Sequence, residues 1–216
     1  MKKKRIALFG GAFNPPHNGH AAVVRALESL DSIDEIWLMP SANRWDKSIS
    51  VSGPDRLHMI DLLIGDLRLG SNKHVRPFDH EIRKPNLSTT FETKAELEKL
   101  YPYHEFHFVF GSDVLPDIAP KWVHGKELFD TANFIFVERP GYVLPEGFAL
   151  PPHAILLPLP HKDTLSSTHV RDIANDPDKL AACVSPSVAE FILKKDFYAR
   201  TSASIEKKKP ALKQQA

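Results

Sequence analysis

Ile6-Ala7-Leu8-Phe9-Gly10-Gly11-Ala12-Phe13-Asn14-Pro15-Pro16-His17-Asn18-Gly19-His20 is the stretch on which the fold turns. Its first four residues are an unbroken apolar run closed by two glycines, the pattern of a short strand buried on both faces. Beyond it Val23, Ala26, Leu27 and Leu30 recur at helical spacing. The segment therefore reads as strand, glycine turn and amphipathic helix.

The same alternation continues outward. Ile36 to Met39 is a second apolar run, and a polar loop from Ser41 to Ser52 precedes Leu57, Ile60, Leu63 and Ile64 at helical spacing, with Ser52 and Pro54 as a helix start. A weaker extended stretch from His74 to Phe78 leads to Thr89-Thr90-Phe91-Glu92, a capping box for a helix through Leu100. Phe106 to Phe110, Phe134 to Val137 and Ile155 to Leu157 are further strands, and Ser185-Pro186 starts a last helix through about Lys195. Short apolar strands alternating with helices make right-handed βαβ units, so the fold expected is α/β: doubly wound, with a mainly parallel sheet, in a single domain. Residues 1–200 form that domain, Arg139 to Pro152 is a surface loop within it, and the polar, aperiodic residues 201–216 are a disordered tail. In such sheets ligands bind beyond the carboxyl ends of the strands.

Composition narrows the class. The 216 residues carry 28 Lys and Arg against 27 Asp and Glu, a formal charge of +1, so no global field draws nucleic acid or an anionic membrane. The lysines Lys207 to Lys209 read as solvated. One cysteine, Cys183, allows no internal disulfide and reads as a small core residue, and no apolar run approaches the roughly 20 residues of a membrane span. The compartment expected is cytoplasmic. Lys2 to Arg5 is a solvated lead into the first strand, because the apolar run behind it is too short for a secretion signal. Of the other histidines, His58, His74, His104, His107, His124, His153, His161 and His169 show no repeated ligand spacing; His104 and His107 flank a strand edge, and no metal site is expected.

At the first strand end, helix-start N–H groups favour an anion, and Gly10 and Gly11, which lack side chains, let a ligand approach the backbone. His17 and His20, three residues apart, can present ring nitrogens to one oxygen cluster. Taken alone they are also compatible with a surface pair or two metal ligands. The Gly-x-Gly-x-x-Gly dinucleotide fingerprint is absent, which removes the dehydrogenase class at its diagnostic position. Near the other end of the chain, Leu165-Ser166-Ser167-Thr168-His169-Val170-Arg171 opens a helix with three hydroxyls and adds a cation one turn in, a second group able to hold phosphate oxygens.

Together these two segments resemble the paired signatures of a nucleotidyltransferase superfamily of Rossmann-like fold, Gly-Gly-x-Phe-x-Pro-x-His-x-Gly-His and Ile-Ser-x-Thr-x-x-Arg, with Leu165 in the place of Ile. Gly111, Asp113 and Leu115, followed by Trp122, resemble the Gly-x-Asp-x-Leu segment and downstream tryptophan of the bacterial nicotinate mononucleotide adenylyltransferases. Glu138 to Tyr142 resembles a further stretch of that family, and the likeness runs from about Arg5 to Tyr198. It implies transfer of AMP from ATP to nicotinate or nicotinamide mononucleotide, with release of pyrophosphate. It also implies roles: Gly10, Gly11, Ala12, Phe13, His17, His20, Gly111, Asp113, Ser166, Ser167, Thr168 and Arg171 bind ATP. His17, His20, Lys47 and Arg171 neutralise the reacting phosphates, and Ser88, Thr89, Thr90, Trp122 and Arg139 hold the mononucleotide. Magnesium is expected to enter with ATP. Three departures stand out: Asn14 where the family has Asp, Trp45-Asp46-Lys47 without the usual histidine, and Ser88-Thr89-Thr90 without a tyrosine. The last leaves acid against amide open. The alternatives are another member, such as a pantetheine-phosphate adenylyltransferase, and an inactive nucleotide-binding module.

Overall fold

Six strands, all paired in parallel, form one twisted sheet in the order β3-β2-β1-β4-β5-β6. They are β1 (Lys4–Gly11), β2 (Glu35–Pro40), β3 (His74–Pro77), β4 (His104–Gly111), β5 (Asn133–Val137) and β6 (Ala154–Leu157). The computed structural model describes residues 2–42, 49–84, 86–139, 141–159 and 165–199. Lys47, with Trp45 and Asp46, therefore lies outside the described residues, as do His161 and the expected tail 201–216.

Side chains of β1 alternate between two cores. Ala7 and Phe9 face a layer built by α1 (Asn18–Glu28), α2 (Gly53–Asp66), α6 (Ser167–Ile173), α7 (Pro177–Cys183) and α8 (Pro186–Lys194). Ile6 and Leu8 face an aromatic layer with Trp37, Phe106, Phe108, Phe134 and Phe136, covered by α3 (Thr90–Leu100), α4 (Leu115–Lys121) and α5 (Gly125–Thr131). Burial on both faces is why the four inner strands, β1, β2, β4 and β5, read as apolar runs. The sheet is wound in both directions from β1, as expected of the doubly wound class.

The helix starts follow the side chains that cap them. Ser52 accepts from Asp55 N at 3.2 Å, and Thr89 and Glu92 satisfy each other's backbone N–H groups at 3.2 and 2.8 Å, the expected capping box. Residues 141–153 carry neither helix nor strand, in keeping with the loop expected there. Among the described residues no helix is long and apolar enough to cross a membrane.

Several expectations need correction. β1 begins at Lys4, not after Arg5: Lys4 pairs with Glu35 at 2.6 Å and Arg5 with Asp34 at 2.8 Å, so the second half of the charged lead is already strand, while Lys2 and Lys3 stay exposed ahead of it. His104, by contrast, does open β4 at its edge, and His107 packs inside it, buried and bonded to Glu105 at 2.9 Å, as a packing role for the pair requires. Cys183 is only half-buried at the end of α7, against the core. The helices α4, α5 and α7 leave no pattern in the sequence. Each has seven residues, two turns at most, too short for a 3.6-residue period to declare itself.

Candidate active site

The chain reverses its direction of winding between β1 and β4, which opens a crevice at the carboxyl ends of those two strands. Gly10 leaves open space there, and a Cβ on Gly11 would sit 3.2 Å from the Phe13 ring. Phe13 takes a left-handed backbone, φ 45°, and its side chain is wholly buried, edge-on to Phe9 at 5.4 Å and tilted on His20 at 4.8 Å between ring centroids. Phe13 can therefore offer a ligand only its backbone.

His17 and His20 form a capping box of their own. His17 is the N-cap of α1 and its Nδ1 accepts from Gly19 N at 3.1 Å; His20 Nδ1 accepts from His17 N at 3.1 Å. An Nδ1 that accepts leaves the proton of a neutral imidazole on Nε2, so each ring presents one N–H donor. Burial, helped by the positive field of Arg139, pushes the His17 pKa down to about 4. Burial, then His17 and Arg139, holds His20 well below its ordinary value. At neutral pH both are uncharged donors. A Cβ on Gly19 would fall 2.9 Å from His17 Cε1, which explains the glycine between them.

The two sequence motifs meet across more than 150 residues. Ser167 Oγ donates to Pro15 O at 2.9 Å, and Arg171 Nη1 donates to Asn14 O at 2.8 Å. Arg171 Nη2 donates to Thr168 Oγ1 at 3.1 Å, while Ser166 accepts from His169 N at 3.2 Å as the cap of α6. The guanidinium, with five N–H donors, still has capacity for an anion.

Two residues that sequence reasoning missed support the same loop. Arg56, 0% exposed, donates to Ala12 O and to Ser41 O, both at 2.7 Å, tying the ends of β1 and β2 together. Its signal was positional: Arg56 shares the buried face of α2 with Met59, Ile60 and Leu63, where a cation needs a reason. Tyr198 donates its hydroxyl to Asn14 Oδ1 at 2.7 Å, and nothing in the sequence pointed to that pairing.

At the end of β4, Asp113 pairs with Arg139 through Oδ1 and Nε at 3.1 Å, and Ser112 Oγ accepts from Arg139 N at 3.1 Å. Gly111 leaves the room this needs, since a Cβ would lie 2.8 Å from Arg139 Nε and closer still to Asp113. Trp122 follows α4, half-buried and edge-on to Phe110 at 5.1 Å. Ser88 accepts from Lys84 Nζ at 2.8 Å, Thr89 is the cap of α3, and Thr90 begins that helix. Phe91 stacks on His124 at 4.2 Å, which brings the start of α3 beside the turn that carries Trp122.

The cytidylyltransferase-like family matches residues 8–173. A protein of Oceanobacillus iheyensis named "Probable nicotinate-nucleotide adenylyltransferase" is 31% identical over 196 residues, 90% of this chain and 97% of the relative. The nicotinate-nucleotide adenylyltransferase of Bacillus subtilis is 34% identical over 139 residues, 64% of this chain and 71% of the relative. Among solved structures, nicotinic acid mononucleotide adenylyltransferase of Plasmodium falciparum, complexed with NaAD, superposes with a TM-score of 0.76 at 26% identity, over 90% of this chain and 97% of that one. Histidines, arginine and hydroxyls thus gather at the strand ends of a chain that belongs to the cytidylyltransferase-like family and, within it, to the nicotinate-nucleotide adenylyltransferases.

Proposed function

We propose that this chain transfers the adenylyl group of ATP to nicotinate mononucleotide, forming the deamido dinucleotide and releasing pyrophosphate. The observation that carries the reading is the junction of the two motifs: Arg171 bonds the carbonyl of Asn14, three residues before the His17 and His20 pair. Relatives named for this reaction, alike over nine-tenths of the chain, support it.

A phosphate oxygen of the mononucleotide attacks the α-phosphorus, and the bond to the pyrophosphate oxygen breaks. The nucleophile is already anionic, so no side chain has to remove its proton. The protein aligns the two phosphates and stabilises charge on the oxygens of the transition state. Nε2–H of His20 is assigned to the α-phosphate region, with His17, Arg171 and Lys47 around the rest of the triphosphate. Ser166, Ser167, Thr168 and the backbone of Gly10 to Phe13 complete the cradle. Gly111 leaves Asp113 space to reach the nucleotide, Trp122 offers a flat face to the pyridine, and Ser88, Thr89, Thr90 and Arg139 surround the acceptor.

Among the described residues assigned to this crevice, the carboxylate of Asp113 is tied to Arg139 and the rest offer donors. Magnesium accordingly travels as part of the substrate, on the ATP phosphates with its own waters. Use of ATP, and a single cysteine in 216 residues, support a cytosolic reaction. Residues 1–200 act as one domain in this reading.

Pyrophosphate release, measured side by side with nicotinate mononucleotide, nicotinamide mononucleotide and pantetheine phosphate, tests the assignment. The expected order is nicotinate ahead of nicotinamide, with pantetheine phosphate inert. Release with pantetheine phosphate alone, or ATP binding without release, would overturn it.

A further inference from the structure

The loop that presents His17 and His20 is held from behind by a part of the chain outside both motifs. Tyr198, 184 residues from Asn14 in sequence, donates its hydroxyl to Asn14 Oδ1 at 2.7 Å. Asn14 is 3% exposed, and its carbonyl accepts from Arg171 at 2.8 Å. With Ala12 O bound by Arg56, the turn is tied to α2, to α6 and to the turn that follows α8.

That last turn is built to deliver the tyrosine. After α8 the chain doubles back: Phe197 N donates to Ile192 O at 3.1 Å, and the Phe197 ring meets Phe191 edge-on at 5.7 Å. Asp196 and Tyr198 take left-handed backbones, φ 55° and 65°. Non-glycine residues adopt that region at a cost, so it persists where tertiary contacts compensate. For Tyr198 the contact in view is the bond to Asn14. Burial raises the phenol pKa further from neutrality, so the hydroxyl stays a donor at any working pH. Oδ1 of residue 14 is the acceptor, a role that an Asp carboxylate would fill as well.

We propose that Tyr198 is a positioning residue for adenylyl transfer: through Asn14 its hydroxyl sets the loop that aims His17 and His20 at the triphosphate. This rests on the reaction proposed above. It makes the final turn after α8 part of the working site, although Tyr198 itself need not touch substrate.

Tyr198→Phe removes the hydroxyl and keeps the ring, and it is tested in the full chain at a temperature where the variant is folded. One neutral hydrogen bond lost from the aligned state corresponds to a fall in kcat of about tenfold, with KM for the mononucleotide within about twofold. Amide hydrogen exchange without substrate should quicken across Gly11 to His20 and stay unchanged in β4 and β5. The loss should vanish in an Asn14→Leu background, where no acceptor remains, and persist in Asn14→Asp, where one does. A kcat within about twofold of the unaltered chain, equal losses in the Leu and Asp backgrounds, or unchanged loop exchange would overturn the proposal. Should the unaltered chain release no pyrophosphate with either mononucleotide, the reaction assignment fails by that result. The Kd for ATP then replaces kcat, and the same tenfold change and the same coupling to residue 14 decide the role of Tyr198.

Discussion

A histidine whose Nδ1 caps a helix has one nitrogen left, and that nitrogen must carry the proton when the ring is neutral. His17 and His20 are both committed in this way, to Gly19 N and His17 N. Their rings, 3.8 Å apart between centroids, could not both take a charge in this buried place at little cost, and burial lowers both pKa values. They stand as fixed neutral donors, and among the described residues Arg139 and Arg171 bring positive charge beside them. Removing one preorganised donor of this kind costs roughly 100- to 1000-fold in turnover. His20→Ala should lose that much in kcat, with about 1 kcal/mol of stability lost along with its cap. Near wild-type turnover in the folded variant would remove His20 from the phosphate site. The residue pattern disclosed this pair but not its support: Arg56 and Tyr198 act on backbone and side chain of the loop from 44 and 184 residues away.

At the scale of elements, β1, β2, β4 and β5 were legible because both faces are buried, whereas the edge strands β3 and β6, mostly half-buried, give a weaker signal; the long helices were legible because caps such as Ser52 and Thr89 stand at their starts. The pair α4 and α5 was not. Pro116 and Pro120 hide the first, and the two join at a tight corner where Gly125 N donates to Trp122 O at 2.9 Å. His124 there has φ 51°, and a Cβ on Gly125 would lie 1.9 Å from the carbonyl oxygen of Ile118. No rotamer change relieves a clash with backbone. Gly125→Ala should therefore part the two helices and lower stability by about 3 kcal/mol or more, read as a fall in the urea midpoint. It should also raise KM for the mononucleotide, because Trp122 sits on that corner. An unchanged midpoint would mean that α4 and α5 do not close on each other as described.

For the whole molecule, buried histidines set the acid limit. His17 titrates near 6.5 when unfolded and at about 4 when folded, so below the first value the unfolded chain holds a proton that the fold refuses. Its stabilisation is complete above about pH 6.5 and is lost, at about 1.4 kcal/mol per pH unit, as pH falls toward about 4. His20 and His107 are lowered in the same direction by burial, which steepens the fall. Urea midpoints taken from about pH 7.5 to 4.5 should show this slope, and His17→Asn, which keeps a capping side chain, should flatten it. A slope unaltered by that change would remove His17 as its source.

Sequence by itself determined the class of fold and picked out the two motifs, because buried strands, helix caps and the Gly-Gly to His17-x-x-His20 spacing are local patterns that a short window displays. Only the tertiary structure decided that Arg171 and Tyr198 close on Asn14, that Arg56 spans the ends of β1 and β2, and that Asp113 meets Arg139. These contacts depend on the strand order around β1 and on where α2, α6 and the turn after α8 come to rest. Long-range packing sets them, and no periodicity along the chain encodes the distance between residues so far apart in sequence.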